Sequence, residues 1–423
     1  MLQKAKTLED IYNSFEGNRP LSEDEHDFFI NIYDKKLKRF IGSIRRNKVY
    51  QNIFFIAGQS GNGKSSILNN LKRESDIFDR YDIRHFEAKQ FRSHDNIDIV
   101  DILLIIGFDL LDNSKLDGAK TKELKDEFEE KLTQLQQVND KELQLTSTES
   151  SKENAKLGAD TKVSTGFNFF SFFTAKQDFT ATYTIDSDIR EEAKKIYQFK
   201  TKDLLDIINS LIKTYKRLAN TNKEILFILD GLEKLNNNDS IDDIFTKDIS
   251  ILQNIECYKI VTMPIYLKNR VDSNISPIDF TMEIDKNTNK IKNIDILKEV
   301  INSRLENKEL ITQKAIELII EKSGGNIRQL LNIVQKASTE ALDILESDII
   351  DIPEVESALE QIGGNLSTRV QFKSEFLEKI KENHKIDEKD KSSLAECLRN
   401  GLVYAYFNGQ AHYGINPIVK DLL

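Results

Sequence analysis

The chain has 423 residues, 39% hydrophobic and 31% charged, a balance that excludes disorder and leaves room for two or three globular domains. No apolar run approaches the ~18 residues of a membrane span, and Met1-Leu-Gln-Lys lacks an apolar signal core, so a cytoplasmic, non-membrane protein is expected. A net charge of −10 argues against a surface that grips nucleic acid throughout, and Cys257 and Cys397 are too few for a disulfide framework or a zinc site.

The first fifty residues read as helix. Ser22 and Glu25 form a capping-box pattern, and Phe28, Phe29, Ile32, Tyr33, Leu37, Phe40, Ile41 and Ile44 recur at helical spacing. Lys35, Lys36, Lys38, Arg39, Arg45, Arg46 and Lys48 crowd the same stretch, either as a solvated face or as a patch for phosphates. Residues 51–290 then alternate strands with helices. Ile53–Ala57 is a short apolar strand, followed by a Gly-rich loop and a helix from Ser65 to about Arg73. Further strands are predicted around Ile83–Ala88, at Ile225–Leu229, at Tyr258–Met263 before Pro264, and more weakly at Phe280–Ile284, with a buried helix at Ile99–Leu111. This order predicts an α/β fold, a mostly parallel sheet with helices on both faces.

An insertion at about 112–200 interrupts the alternation. Leu124, Phe128, Leu132, Leu135 and Val138 mark an amphipathic helix, and Ile189, Ala193, Ile196 and then Leu204–Tyr215 supply an antiparallel partner. Between them lies Phe167-Asn-Phe-Phe-Ser-Phe-Phe173, with Phe179 and Tyr183 behind it. The run reads either as a hairpin folded on the protein's own core or as a surface for a partner. Residues 291–350 return to helix: Ile294–Leu305, then a helix capped by Thr312 and ended by Gly324-Gly325, then one capped by Asn326 with Gln329 at the box position, reaching about Leu345. In residues 351–423, short helices lead to Leu402–Phe407, an Asn408-Gly409 turn and Ala411–Ile415, a hairpin signal compatible with a winged helix.

The chemistry concentrates in Gly58-Gln59-Ser60-Gly61-Asn62-Gly63-Lys64-Ser65-Ser66, which fits G-x-x-x-x-G-K-[ST]. The glycines let backbone N–H groups turn in around phosphates, Lys64 brings a cation to the β/γ oxygens, and Ser65 offers a hydroxyl to Mg²⁺. Its expected partner is an apolar strand ending in an acid, and Ile225–Leu229 ends in Asp230, placed to orient the metal. The next residue is Gly231 rather than a second acid, so Glu233 is the nearest candidate for activating water, or else a salt-bridge residue. Thr262 at the end of its strand either reaches the γ-phosphate or is an ordinary strand-end threonine. Arg328, just after Gly324-Gly325, is either a bidentate phosphate ligand or a surface arginine. Arg190 and Arg304 are weaker candidates for fingers offered to a neighbouring subunit. The five histidines make no metal-binding spacing, no G-x-S-x-G elbow occurs, and no N/T-K-x-D guanine element is present.

Together, Gly58–Ser66, Ile225-Leu-Phe-Ile-Leu-Asp230-Gly-Leu-Glu233-Lys, the Thr262 strand and Ser323-Gly-Gly-Asn-Ile-Arg328-Gln-Leu-Leu resemble AAA+ P-loop ATPases. More narrowly they are similar to the origin-recognition and STAND-like branch, over residues 20–345 without the insertion. The resemblance implies ATP and Mg²⁺ as ligands, Thr262 as sensor 1, Arg328 as sensor 2, residues 294–345 as a helical lid and a winged helix after it. It also implies the company of prokaryotic conflict systems such as phage defence, where such ATPases lie beside an effector. Gly231 and the Phe-rich insertion depart from the pattern. Two readings follow. The first is a slow regulatory ATPase that switches its own oligomer or a partner effector, using the Phe-rich insertion as the contact. The alternative is an ATP-dependent DNA-binding loader that uses the basic helix Lys35–Lys48 and the terminal hairpin.

Overall fold

The apolar runs lie side by side in one parallel sheet in the computed structural model, which describes residues 2–91, 97–112, 116–150, 178–235, 238–271, 274–285, 291–383, 386–407 and 411–423. The strands are β1 (Ile53–Ala57), β2 (Tyr81–Glu87), β3 (Glu224–Asp230), β4 (Tyr258–Met263) and β5 (Ile278–Asp279), in the order β2-β3-β4-β1-β5. Strands covered on both faces need apolar side chains at consecutive positions, which is why their sequences do not alternate with polar residues. Alternation shows instead in which core each residue joins. Phe55, Ala57, Phe227 and Leu229 pack on one side of the sheet, while Phe54, Ile56, Leu226 and Ile228 pack on the other. The chain is therefore a P-loop-type α/β fold, as its sequence predicts. The last strand differs from expectation. Pairing with β1 ends at Asp279, and Ile284 joins Ile291 in an isolated bridge outside the sheet.

Helices form the two outer layers. They are α1 (Leu8–Ser14), α2 (Asp34–Arg46), α3 (Lys64–Leu71), α4 (Ser75–Arg80), α5 (Ile99–Asp112), α6 (Gly118–Ser150), α7 (Phe179–Ile185), α8 (Ser187–Tyr197), α9 (Thr201–Ala219), α10 (Asn238–Thr246) and α11 (Ile249–Asn254). After the sheet come α12 (Ile294–Asn302), α13 (Gln313–Ser323), α14 (Ile327–Asp343), α15 (Ile352–Asn383), α16 (Lys391–Arg399) and α17 (Pro417–Lys420). The first fifty residues are not one helix. Glu25 sits in a short 3-10 segment, Glu23–Phe28, where its carboxylate accepts from Ser22 N at 3.1 Å but also from Arg19 and Leu2 N. Those competing bonds tie the segment to the chain before it, and a regular helix begins again only at Asp34.

The insertion is welded to the core. Leu124, Phe128, Leu132 and Leu135 of α6 are buried as predicted, whereas Val138 is exposed. Phe179 stacks on Phe108 and Tyr183 packs on the same ring, so these two aromatics serve the interior. Phe167–Phe173 lies outside the described residues. Arg190 is likewise internal and corrects the expectation of a finger for a neighbour. Its Nε and Nη2 each donate to the Asp101 carboxylate at 3.1 Å, and the Tyr183 hydroxyl and Lys194 ammonium share that acid.

The C-terminal region also differs from expectation. Residues 352–383 form one long helix rather than several short ones, and it joins the two cores: Val355 and Ile362 pack on one side, Leu377 and Ile380 on the other. The hairpin is present as β6 (Val403–Phe407) antiparallel to β7 (Ala411–Ile415), with Asn408-Gly409 outside the described residues. Val403, Ala405 and Phe407 bury their side chains in the same core as the sheet.

Candidate functional site

The loop from β1 to α3 depends on a residue without a side chain at Gly61. Its φ is +88°, and a Cβ there would stand 2.4 Å from Asn326 Oδ1 and 2.9 Å from Arg328 Cβ. The turn delivers the chain to Lys64, the first residue of α3, so the unpaired N–H groups of a helix start face the loop. Other loop side chains are each engaged by a different part of the chain. Ser60 Oγ accepts from Arg328 Nη1 at 2.8 Å, and Asn62 Nδ2 donates to Phe280 O at 3.0 Å. Ser66 Oγ accepts from Leu21 N at 3.0 Å. Gln59 turns away from the loop, where its Nε2 donates to Val403 O at 2.6 Å and Leu398 O at 3.1 Å, and its Oε1 accepts from Ala405 N at 3.2 Å.

Lys64 Nζ donates to Gly58 O and Gln59 O, both at 2.9 Å, and stands 2.8 Å from Glu233 Oε1. Both side chains of that ion pair are only 3% exposed. Burial pushes the Lys64 ammonium below its ordinary range, and the Glu233 charge opposes the shift. Glu233 reaches this position because Gly231 turns the chain at φ +89°, a conformation that a glutamate would adopt only under strain. A second acid directly after Asp230 is thereby disfavoured, and the acid three residues along folds back instead.

Asp230 lies behind the loop, 1% exposed. Burial pushes its carboxyl up, but His85, the Lys234 ammonium and the Ser65 hydroxyl outweigh burial and hold it at about 2. Its Oδ1 has no hydrogen-bond partner among the described residues. A buried, ionised oxygen with a free lone pair beside a serine hydroxyl is chemistry that fits a hard cation such as Mg²⁺. Among the described residues no three His, Cys, Asp or Glu side chains could hold a metal by themselves, and Mg²⁺ shared with phosphates needs only one or two protein ligands.

Thr262 shares its sheet face with Asp230, each two residues beyond the paired Ile228 and Ile260 of one core. Its hydroxyl accepts from Gly231 N at 2.7 Å and donates to Leu229 O at 3.4 Å, so it fastens the end of β3 to β4. Arg328 is at the site: its backbone N donates to Gly61 O at 3.1 Å while its guanidinium holds Ser60 and, at 3.3 Å, Gly17 O. Burial lowers its pKa, with Glu233 opposing. Arg304 lines the same cleft as Gly61–Ser66, Glu233 and Arg328, and its Nη1 donates to Val300 O at 3.0 Å. Burial brings it down to about 10, against the charge of Glu25.

The tertiary structure adds residues that sequence patterns did not single out. Asn326 was expected only as a cap. It does cap α14, accepting from Gln329 N at 3.0 Å, and its Nδ2 also donates to Ser60 O at 2.8 Å. Tyr33 donates to Asn62 O at 3.2 Å. His85 and Glu87 come up beside Asp230 because β2 pairs with β3 in the register Glu87↔Asp230. The strand signal around Ile83–Ala88 marked that segment, but nothing local marks which strand it pairs with.

No family model and no curated protein matches the chain. Solved structures similar to it include a chain of Drosophila ORC bound to DNA, at 10% identity and TM-score 0.41, covering 98% of this chain and 90% of that one. A Walker-type ATPase of Pyrococcus abyssi is similar at 12% identity and TM-score 0.42, covering 96% and 99%. Cdc6p from Pyrobaculum aerophilum is similar at 11% identity and TM-score 0.39, covering 98% and 97%.

Proposed function

We propose that this chain is a regulatory P-loop ATPase that binds ATP in the cleft between the phosphate loop and the helical lid α12–α14. One observation supports it above the others: Arg328, from the lid, is bonded to the loop at Ser60 and Gly61, within the cleft lined by Lys64 and Glu233. A triphosphate on the loop meets the lid arginine, so occupancy and lid position are linked. Lys64 neutralises the β/γ oxygens after exchanging its Glu233 partner for phosphate. Mg²⁺, held through Ser65 and Asp230, supplies neutralisation of charge on the phosphates. Thr262 keeps Asp230 in place through the Gly231 turn.

The output of the switch is an oligomer or a partner effector. Moving a two-state equilibrium from 1:99 to 99:1 requires about 5.5 kcal/mol of differential affinity, a demand that contacts to a triphosphate can meet. The deciding experiment is steady-state ATP hydrolysis and ATP binding by wild type beside Lys64→Ala, with light scattering in ATP and in ADP. Loss of binding and turnover in the variant, and a size difference between the two nucleotides, support the proposal. Equal ATP affinity in the variant overturns it.

One surface favours the second reading, a DNA-binding loader. Lys35, Lys38, Arg39, Arg45, Arg46 and Lys48 are exposed on and just after α2, and Lys35, Arg39, Arg46 and Lys48 form no ion pair among the described residues. Phosphate contacts there would make log affinity for duplex DNA fall linearly with log salt. Binding that ignores salt would remove this reading.

A further inference from the structure

We infer that Glu87 is the general base for the attacking water, a role that rests on the ATPase reading above. The usual neighbour of the metal-orienting acid is here Gly231, held at φ +89°. Glu233, the nearest acid in sequence, is 3% exposed and spent on Lys64 at 2.8 Å. When phosphate takes its place on Lys64, its carboxylate still starts from a position that water does not reach. Glu87 ends a regular strand, and the lysine it pairs with, Lys89, is exposed, so that charge does not depend on the carboxylate.

Glu87 ends β2 directly opposite Asp230 in the parallel register, about one strand spacing of 4.8 Å away. The alternation of β2 puts Glu87 on the same face as His85, and His85 Nε2 stands 3.9 Å from Asp230 Oδ2, so the face is the one that carries Asp230. The chain then runs past Gly231: a Cβ on that glycine would lie 3.7 Å from Ala88. Glu87 lines the cleft together with Gly61–Ser66, and its side chain is 26% exposed, so water reaches it. Lys89 Nζ, 2.5 Å from Oε2, fixes one carboxylate oxygen and leaves the other for a water molecule.

In the step, the water oxygen bonds to the γ-phosphorus while the bond from that phosphorus to the β,γ-bridging oxygen breaks. The electron pair leaves with ADP, and the water's proton passes to Glu87. General-base assistance of this kind is worth roughly 10²–10⁴-fold in rate.

The test is single-turnover hydrolysis of γ-labelled ATP with Mg²⁺, alongside ATP binding and thermal melting, for wild type, Glu87→Gln, Glu87→Asp and Glu233→Gln. Glu87→Gln should slow the chemical step by about 10²–10⁴-fold with ATP affinity and melting temperature unchanged. Glu87→Asp should fall between the two. A wild-type rate in Glu87→Gln, or a greater loss in Glu233→Gln, overturns the assignment and leaves ATP binding standing. A wild type that binds no ATP overturns both the nucleotide reading and this one.

Discussion

Glu233→Gln tests the pairing at the centre of the site. The substitution keeps the shape of the side chain and removes a charge 2.8 Å from Lys64 Nζ, where both groups are buried. Removing one partner of a buried ion pair costs about 3–5 kcal/mol when the other charge is left alone. Lys64 is not left alone, because Gly58 O and Gln59 O still accept from it and the new amide oxygen can accept as well. The expected loss is therefore roughly 2–3 kcal/mol. ATP should return part of it, since a phosphate supplies the missing negative charge and no longer displaces a carboxylate. If half of the loss is returned, about 1.4 kcal/mol, the variant binds ATP some tenfold more tightly than wild type, by roughly the factor that energy represents. The assay is urea unfolding of both proteins with and without a fixed concentration of ATP and Mg²⁺, with an ATP titration beside it. The midpoint should fall without nucleotide, and the gap to wild type should narrow with it. An unchanged midpoint without nucleotide, or a gap that ATP leaves as it was, refutes the argument that Glu233 holds Lys64 until phosphate arrives.

Gly61→Ala should cost about 2–3 kcal/mol, combining a left-handed residue at ~1–2 with the displaced Asn326 cap at ~1, and thermal melting together with a weakened ATP titration would register it. Arg190→Ala should destabilise by about 3–5 kcal/mol, because Asp101 is left buried among fewer cations; mixing it with Lys64→Ala should restore no turnover, and restoration would reinstate a finger role. Tyr406→Phe removes the hydroxyl that donates to Gly324 O at 2.9 Å, so amide exchange should rise at 324–328 with ATP affinity preserved, unless the hairpin is held there by packing alone. The Glu25 carboxyl is held at about 2, below its ordinary 4.5, by the Arg19 hydrogen bond against the opposing effect of burial. Its contribution is complete above about pH 4.5 and is lost as pH falls towards 2, so Glu25→Gln should flatten the acid limb of stability in that window; an identical limb would contradict the assignment.

What the sequence determined by itself is local. The turn Gly58–Gly63, the helix start at Lys64, the apolar strands and the Thr312 and Asn326 caps all arise among residues a few positions apart, where backbone geometry and hydrogen-bond reach admit few alternatives. Asp230 was legible for the same reason, as the polar end of an apolar run. The tertiary structure decided the partners. Glu233, read as a water-activating acid or a salt-bridge residue, was paired with Lys64 by folding, and the Thr262 hydroxyl was paired with Gly231 N. Arg190 became an interior ion pair because α5 and α8 pack together. Glu87 gained a role only when β2 chose β3 as its neighbour, and Gln59 was tied to a hairpin at the far end of the chain. These pairings depend on sheet order and helix packing. Both are set by burying apolar faces, a non-directional force that leaves no residue pattern naming the polar groups it brings together.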